Sequence, residues 1–133
     1  MTGSSMSNLH TLLSEPARRA AQTLFAELGG ARSVLVATAD GFELTHVGEA
    51  GIDPARLAAI VGSFSALGDV ASRETRIGTP RYLVIESSEG RLAVRCMQAL
   101  GQSIVVLVLT DRSVTLGLVW NCLAETERLM NAA

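Results

Sequence analysis

Apolar and polar residues recur with two different periods along this chain, and the periods predict three helices and five strands. In three segments the apolar residues return every three to four positions, which is the spacing of an amphipathic helix. Five other segments are β-rich runs bounded by glycine and short polar residues, which is typical of strands. The predicted order is helix, hairpin, helix, three strands and helix.

The first helix has an apolar stripe that follows Pro16, and proline suits the first position of a helix because it has no N–H to donate. The members of the stripe are Ala17, Ala20, Ala21, Leu24, Phe25 and Leu28. Gly29-Gly30 is a typical stop. Leu9, Leu12 and Leu13 continue the phase backwards, which leaves a short extra turn or a kinked extension open. Residues 1–8 are predicted to be a flexible tail, and residues 9–133 a single domain.

Asp40-Gly41 lies between two β-rich runs, at residues 33–39 and 42–47. Asp-Gly favours a type I′ hairpin turn, since both central residues of that turn have positive φ. Three more strands are predicted at about residues 81–87, 91–97 and 103–110. The last is apolar on both faces, so we expect it in the middle of a sheet that is covered on both sides. The predicted fold class is an α/β layered domain with a mainly antiparallel sheet.

Asp53 is the predicted N-cap of helix two, which runs from Pro54 to about residue 72. One arc of this helix is apolar and is expected to pack on the sheet: Leu57, Ile60, Val61, Phe64, Leu67 and Ala71. The opposite arc carries small side chains: Ala55, Ala58, Ala59, Gly62, Ser65 and Ala66. A strip of small residues lets two helices approach closely, so we expect it to contact a second copy of helix two. The alternative is an exposed alanine-rich face chosen for helix propensity.

The third strand contains Tyr82-Leu83-Val84-Ile85, a run without charge or proline. As an edge strand it would be open to pairing with its counterpart in a twofold dimer, whereas inside the sheet it would need no partner. Helix three is expected to begin at a cap formed by Asp111 or Ser113 and to end near residue 130 or 131. Glu127 falls within its apolar stripe, so we expect it at a fraying end or paired with an arginine.

The composition excludes several classes of function. A net charge of −2 over 133 residues gives no basic field, so no nucleic acid is expected as a partner. All 11 basic residues are arginine, which excludes a P-loop lysine, a Schiff-base lysine and a lysine general base. The longest apolar run, residues 104–109, is too short for membrane insertion. Residues 1–8 lack the pattern of a signal peptide, and we expect a cytoplasmic protein.

Few side chains are suited to catalysis or metal binding. Cys96 and Cys122 lack CxxC spacing and are expected to be buried free thiols. His10 and His46 are the available bases, and no catalytic signature surrounds them. Two cysteines and two histidines spread along the chain predict no metal site, and nucleotide-binding glycine patterns are absent. We therefore expect no catalytic residue, no cofactor and no metal.

Arg91 and Arg95 alternate along strand four and point to one face. Such a pair could bind an anion or an acidic patch on a partner. Arginines on strands more often pair with local acids, and Glu86 is the obvious candidate here.

Six segments, in this order, resemble one known family: Val34-Leu35-Val36-Ala37-Thr38-Ala39-Asp40-Gly41-Phe42, the Ala- and Leu-rich helix from Asp53, Tyr82-Leu83-Val84-Ile85-Glu86, Glu89-Gly90-Arg91-Leu92-Ala93-Val94, Val105-Val106-Leu107-Val108-Leu109, and Leu116-Gly117-Leu118-Val119. The family is the roadblock/dynein light-chain family, in particular its bacterial regulators of Ras-like GTPases. The resemblance covers residues 17–130. It rests on the ordered series, since no single segment is specific.

The resemblance implies a profilin-like three-layer sandwich, with helices one and three on one face of a five-stranded sheet and helix two on the other. It also implies a homodimer that pairs helix two and strand three with their counterparts. Carried onto this sequence, the dimer contact would involve Ala59, Gly62, Ala66, Tyr82 and Val84. A surface for a further partner would include Arg56, Ser63 and Asp69.

The implied function is that of a homodimeric, non-catalytic regulator or docking platform for a small Ras-like GTPase, which could stimulate GTP hydrolysis. One alternative is a structural adaptor that bridges signalling or motility proteins without an effect on GTP turnover. Another is a small-molecule sensor that uses the sandwich as a pocket, although few polar groups converge on one cavity in this sequence.

Overall fold

The computed structural model describes residues 2–132, with side chains described from residue 11 onward. The elements follow the predicted order, with these bounds: α1 (Thr2–Glu27), β1 (Ala31–Thr38), β2 (Glu43–Gly48), α2 (Pro54–Glu74), β3 (Tyr82–Ser87), β4 (Gly90–Ala99), β5 (Gln102–Thr110) and α3 (Leu116–Asn131). Met1 and Ala133, the ends of the predicted tail and domain, lie outside the described residues. The side chain of His10 lies outside the described part as well.

The five strands form one sheet in the order β2-β1-β5-β4-β3, and every neighbouring pair is antiparallel. The predicted α/β fold with an antiparallel five-stranded sheet is confirmed. β5 lies in the centre, as its two apolar faces predict: Val106 faces one core cluster, and Val105 and Leu107 face the other. β3 lies at one edge of the sheet.

Two apolar clusters place the helices on opposite faces of the sheet. The larger cluster joins α1 and α3 to one face and includes Leu24 and Leu123, both almost fully buried. The smaller cluster joins α2 to the other face through Val61 and Leu107. This is the three-layer arrangement that the resemblance implies.

Helix α1 begins earlier than the proline signal predicts. Pro16 lies inside the helix and not at its first position, and the helix continues backwards through Leu9, Leu12 and Leu13, the extension that their apolar phase left open. Proline removes one N–H from the helix ladder. Leu13 and Ala17 on either side of it are buried in the core, and their packing stabilises a continuous helix there. The helix also includes residues 2–8, and the flexibility of that segment stays a prediction.

The turn between β1 and β2 forms at Asp40-Gly41 but is not the expected type I′ turn. Gly41 has φ 102°, whereas Asp40 is not among the residues with positive φ. The Gly41 N–H donates to the Thr38 carbonyl, and the Thr38 N–H donates to the Phe42 carbonyl. This pattern is a type I turn followed by a left-handed glycine, which needs only one residue with positive φ.

The helix caps are partly as expected. The Asp53 carboxylate accepts from the backbone N–H groups of Ala55 and Arg56, at 3.1 and 3.4 Å, which confirms Asp53 as the N-cap of α2. The N-cap of α3 is Thr115 rather than Asp111 or Ser113. Asp111 instead accepts from the Ser113 N–H at 2.8 Å, because a short acidic side chain readily closes a local turn.

Candidate interaction surfaces

The face of α2 that packs on the sheet differs from the predicted apolar arc. Ala58 and Val61 are buried beneath the helix, at 0% and 1% exposure, whereas Ile60 and Leu67 are 55% and 68% exposed. Half of the predicted sheet-facing arc therefore points away from the sheet. Small residues take its place because they let the helix lie close to the strands and turns below it.

Gly62 shows how close this approach is. A Cβ atom at Gly62 would lie 2.9 Å from the Cα atom of Gly41 in the first hairpin turn. A Cβ atom at Gly68 would lie 2.7 Å from a methyl group of Leu83 on β3. The first hairpin turn of the same chain thus covers Gly62. For this reason the prediction that Gly62 contacts a second copy is corrected.

The opposite side of α2 is exposed and largely apolar, and we name it the α2 outer face. Its large side chains are those of Ile60, Leu67 and Val70, which are 55%, 68% and 48% exposed. The smaller and charged residues among them are Arg56, Ala59, Ser63 and Ala66, all exposed. Exposed aliphatic residues grouped on one helix face are typical of a contact surface.

The β3 edge lies beside this helix and has free backbone groups. Within residues 2–132, β3 pairs only with β4. The Cys96 N–H on β4 donates to the Arg81 carbonyl at 2.9 Å. Backbone groups of successive strand residues point alternately to opposite sides, so Tyr82, Val84 and Glu86 direct theirs away from the sheet. We call these outward-facing groups the β3 edge.

Tyr82 and Val84 have different roles at this edge. The Tyr82 ring packs on Trp120 of α3, with 4.3 Å between centroids, and the Arg95 guanidinium lies 4.5 Å from its centre. The Tyr82 ring is therefore held within its own chain, and only its backbone is available at the edge. The Val84 side chain is 41% exposed.

Arg95 also forms an ion pair with Glu127, which explains the acidic residue in the apolar stripe of α3. The expectation that Glu127 pairs with an arginine is confirmed. Arg91 binds Glu86 through two hydrogen bonds of 2.6 and 2.9 Å, as the local pairing predicts. The bonded Arg91 guanidinium lowers the pKa of the Glu86 carboxyl. Both strand-four arginines are thus engaged within the chain.

The three residues expected to contact a further partner do not form one cluster. Arg56 and Ser63 are exposed on the α2 outer face. Asp69 lies further round the helix and forms an ion pair of 3.1 Å with Arg73. Of the three, Arg56 and Ser63 share one surface.

The candidate nucleophiles are not activated. Burial raises the pKa of the Cys96 thiol and that of the Cys122 thiol, so both favour the protonated form. His46 Nε2 lies 3.3 Å from the Ser33 hydroxyl, which is buried under the sheet edge. Among the described residues, no group of three or more His, Cys, Asp or Glu side chains is placed to hold a metal ion. Across residues 2–132, no helix combines the length and apolar character needed to cross a bilayer.

No protein-family model and no curated protein matches this sequence. Solved structures do match its fold. MglB from Myxococcus xanthus superposes with a TM-score of 0.78 over 87% of this chain and 85% of its own, at 16% identity. A Roadblock/LC7 domain from Streptomyces avermitilis gives a TM-score of 0.72 over 82% of this chain and 89% of its own, at 20% identity. The chain has the roadblock/LC7 fold.

A third structure of this fold, described as MglB with a tetrameric arrangement, gives a TM-score of 0.72 at 20% identity, over 87% of this chain and 88% of its own. The fold implied by the sequence resemblance is thereby confirmed. In the roadblock/LC7 fold of this chain, the α2 outer face and the β3 edge adjoin each other where Gly68 meets Leu83. Sequence reasoning missed Ile60, Leu67 and Val70 as surface residues. Part of the strip of small residues was the available signal, because Ala58 and Gly62 lie on the side of the helix closest to the sheet, whereas Ala59 and Ala66 of the same strip are exposed.

Proposed function

We propose that this chain is a homodimer, formed through the α2 outer face and the β3 edge, and that the dimer is a non-catalytic regulator and docking platform for a small Ras-like GTPase in the cytoplasm. The observation that carries the proposal is the pairing of an exposed aliphatic helix face with an unpaired strand edge. A second copy related by a twofold axis supplies a matching helix face and a matching edge at once.

The energy available supports self-association. Burying the exposed parts of Ile60, Leu67 and Val70 contributes about 1 kcal/mol or more for each side chain, and each is present twice in a twofold dimer. Pairing the β3 edge satisfies backbone groups that water otherwise solvates, and each such hydrogen bond contributes about 1 kcal/mol. Burial and strand pairing together are of the size needed to offset the entropy of association.

The proposed dimer contact keeps four of the five residues named from the sequence. Ala59 and Ala66 lie on the α2 outer face, Val84 lies on the β3 edge, and Tyr82 contributes its backbone. Gly62 is left out, because the first hairpin turn covers it. Ile60, Leu67 and Val70 are added to the contact.

The regulatory part of the proposal rests on the fold and on the resemblance. MglB and Roadblock/LC7 structures share the architecture, and one MglB structure is described as tetrameric, which fits a protein that acts through association. Arg56 lies near the exposed N-terminal end of α2 and would form the rim of a surface for the GTPase, whereas Ser63, between Ile60 and Leu67 on the α2 outer face, would lie within the dimer contact itself. Asp69, tied to Arg73, would lie at its margin.

Self-association is tested by sedimentation velocity with two matched substitutions. Leu67→Arg places a charge in the α2 outer face, and Leu118→Arg places the same charge on an exposed site of α3, where the leucine is 45% exposed. We expect the wild type and Leu118→Arg to be dimers and Leu67→Arg to be a monomer with an unchanged circular dichroism spectrum. A wild-type monomer, or a dimer that tolerates Leu67→Arg, contradicts the proposal.

GTPase docking is tested by affinity capture from a lysate of the source organism, with a non-hydrolysable GTP analogue or with GDP. We expect mass spectrometry to identify a Ras-like GTPase that the wild type retains in one nucleotide state, and that Arg56→Ala retains less while remaining dimeric. GTP turnover by the purified GTPase then shows the sign of regulation. Capture of larger proteins in both nucleotide states, with unchanged GTP turnover, would instead favour the structural adaptor.

A further inference from the structure

The β3 edge has a basic end and an acidic end. Arg81 directly precedes the strand, and Glu89 lies in the turn that follows it. Both side chains are exposed, and neither forms an ion pair with the side chains described, those of residues 11–132. Glu86 is different, because it is bound to Arg91. One cation and one anion thus lie without an ion pair at opposite ends of β3, whose one charged residue, Glu86, is already paired.

The outward-facing backbone groups restrict how two such edges can pair. Tyr82, Val84 and Glu86 face outward, so an antiparallel ladder must match these residues with one another. A register centred on Val84 pairs Val84 with its counterpart and Tyr82 with Glu86 of the second copy, and so uses all three. A register centred one residue earlier would match Glu86 with Pro80, which has no N–H to donate. A register centred one residue later than Val84 would match Tyr82 with the turn between β3 and β4, where no strand residue is left to pair with it.

The register centred on Val84 brings opposite charges together. Arg81 then lies across from Ser87 of the second copy, the last residue of that β3, and Glu89 follows two residues later in the turn, with its Cα at most about 7 Å from that of Ser87. Both side chains are long enough to close that separation. A parallel ladder would instead place Arg81 beside its own counterpart, and Glu89 likewise.

We propose that Arg81 of one copy pairs with Glu89 of the second copy at both ends of an antiparallel β3–β3 ladder, so that these two charges fix the orientation of the dimer and select its partner. This inference rests on the proposed homodimer and adds an explanation of how the dimer selects its partner and orientation. Charges at the rim of an interface contribute mainly to the choice of partner, because a like charge in the wrong partner is repelled. A related chain that lacks either charge would be disfavoured as a partner.

The test is a charge exchange between two variants that carry different affinity tags. Arg81→Glu and Glu89→Arg each place like charges at both ends of their own homodimer, and we expect each to self-associate about tenfold more weakly than the wild type. When the two variants are mixed, opposite charges meet again at both ends. We expect the mixture to form a heterodimer with an affinity close to that of the wild type, as measured by native mass spectrometry and sedimentation equilibrium.

Arg19→Glu is the matched control, since Arg19 is exposed on α1, which packs on the face of the sheet opposite α2. It should leave self-association unchanged. Single variants that dimerise like the wild type, or a mixture without preference for the heterodimer, would overturn the inference while the proposed dimer stands. A wild type that is monomeric in the same experiment would overturn the dimer itself, and the inference with it.

Discussion

Replacement of Val84 by proline removes one backbone N–H that points away from the sheet. The neighbouring Leu83 N–H points towards β4, and the Leu83 side chain packs against Gly68 of α2. Proline at an edge position that faces solvent costs a strand little, whereas proline inside a ladder removes a hydrogen bond and disturbs the strand. Val84→Pro should therefore act on association, and Leu83→Pro on folding.

The expected magnitudes follow from these contacts. In the proposed dimer, Val84 donates to its counterpart and accepts from it, so the substitution removes two hydrogen bonds of about 1 kcal/mol each. A loss of about 2 kcal/mol weakens dimerisation by roughly 30-fold. The monomer should change by less than about 1 kcal/mol in its free energy of unfolding, while Leu83→Pro should cost about 3 kcal/mol or more.

The assay compares Val84→Pro with Val84→Ala, which removes the same exposed side chain and keeps the N–H. Sedimentation equilibrium gives the dimer dissociation constant, and urea unfolding at low protein concentration gives the stability of the monomer. Equal dissociation constants for Val84→Pro and Val84→Ala would refute the assignment of the β3 edge to the dimer. If Val84→Pro is unfolded under native conditions, the Val84 N–H does not point away from the sheet, and the reasoning is refuted.

Three further predictions concern the single chain. Gly62→Ala should lower the free energy of unfolding by about 1–3 kcal/mol in urea titrations, because the new Cβ would lie 2.9 Å from the backbone of Gly41. Arg76→Gly should raise it by about 0.5–1 kcal/mol in the same titrations, since Arg76 has φ 59° just after α2, a conformation that favours glycine. Glu86→Gln should make the difference in Tm between pH 7 and pH 3 smaller than in the wild type. Arg91 lowers the pKa of Glu86 in the folded state. The stabilisation by this ion pair is therefore present above the unfolded pKa of Glu86 and is lost as the pH falls through the folded pKa.

Each of the three has a contradicting outcome or a control. Gly51→Ala is the control for the helix glycine, because a Cβ atom there meets nothing within 4 Å, and it should be close to neutral. A destabilised Arg76→Gly variant would show that the arginine side chain contributes more than its backbone conformation costs. For Glu86→Gln, an unchanged difference in Tm between the two pH values would mean that the ion pair with Arg91 does not persist in solution.

The sequence predicted the elements that depend on local chemistry and erred where packing decides. Asp53 caps α2 as predicted, because a cap involves only the next few backbone N–H groups. β5 was correctly placed in the centre of the sheet, since only a central strand can be apolar on both faces. Pro16 was a local signal that tertiary packing overrode: the buried residues on both sides of it keep α1 continuous.

The candidate site was harder to predict, because exposure depends on which side of a helix faces the sheet. The periodicity of α2 shows two opposite arcs, and hydrophobicity alone favours the arc with Ile60 and Leu67 for the core. In the structure part of this assignment is reversed and Ile60 and Leu67 are exposed. The close approach of helix and turn requires small residues such as Gly62 on the side that faces the sheet. For Tyr82, the sequence indicated the correct strand, but it could not show that the ring packs on Trp120. Only the structure shows that Glu86 is bound to Arg91, whereas Arg81 and Glu89 form no ion pair with the described side chains.

The contact between Tyr82 and Trp120 allows intrinsic fluorescence to report on the state of the β3 edge. The chain has one tyrosine and one tryptophan, and their ring centroids are 4.3 Å apart, one on the edge strand and the other on α3. Excitation energy absorbed by the tyrosine passes to the tryptophan at this separation, so the native protein should show almost no tyrosine emission. Release of β3 alone would restore tyrosine emission while α3 keeps its helical signal. Strand exchange, docking of a partner and local opening at this edge can therefore each be followed in the unlabelled protein.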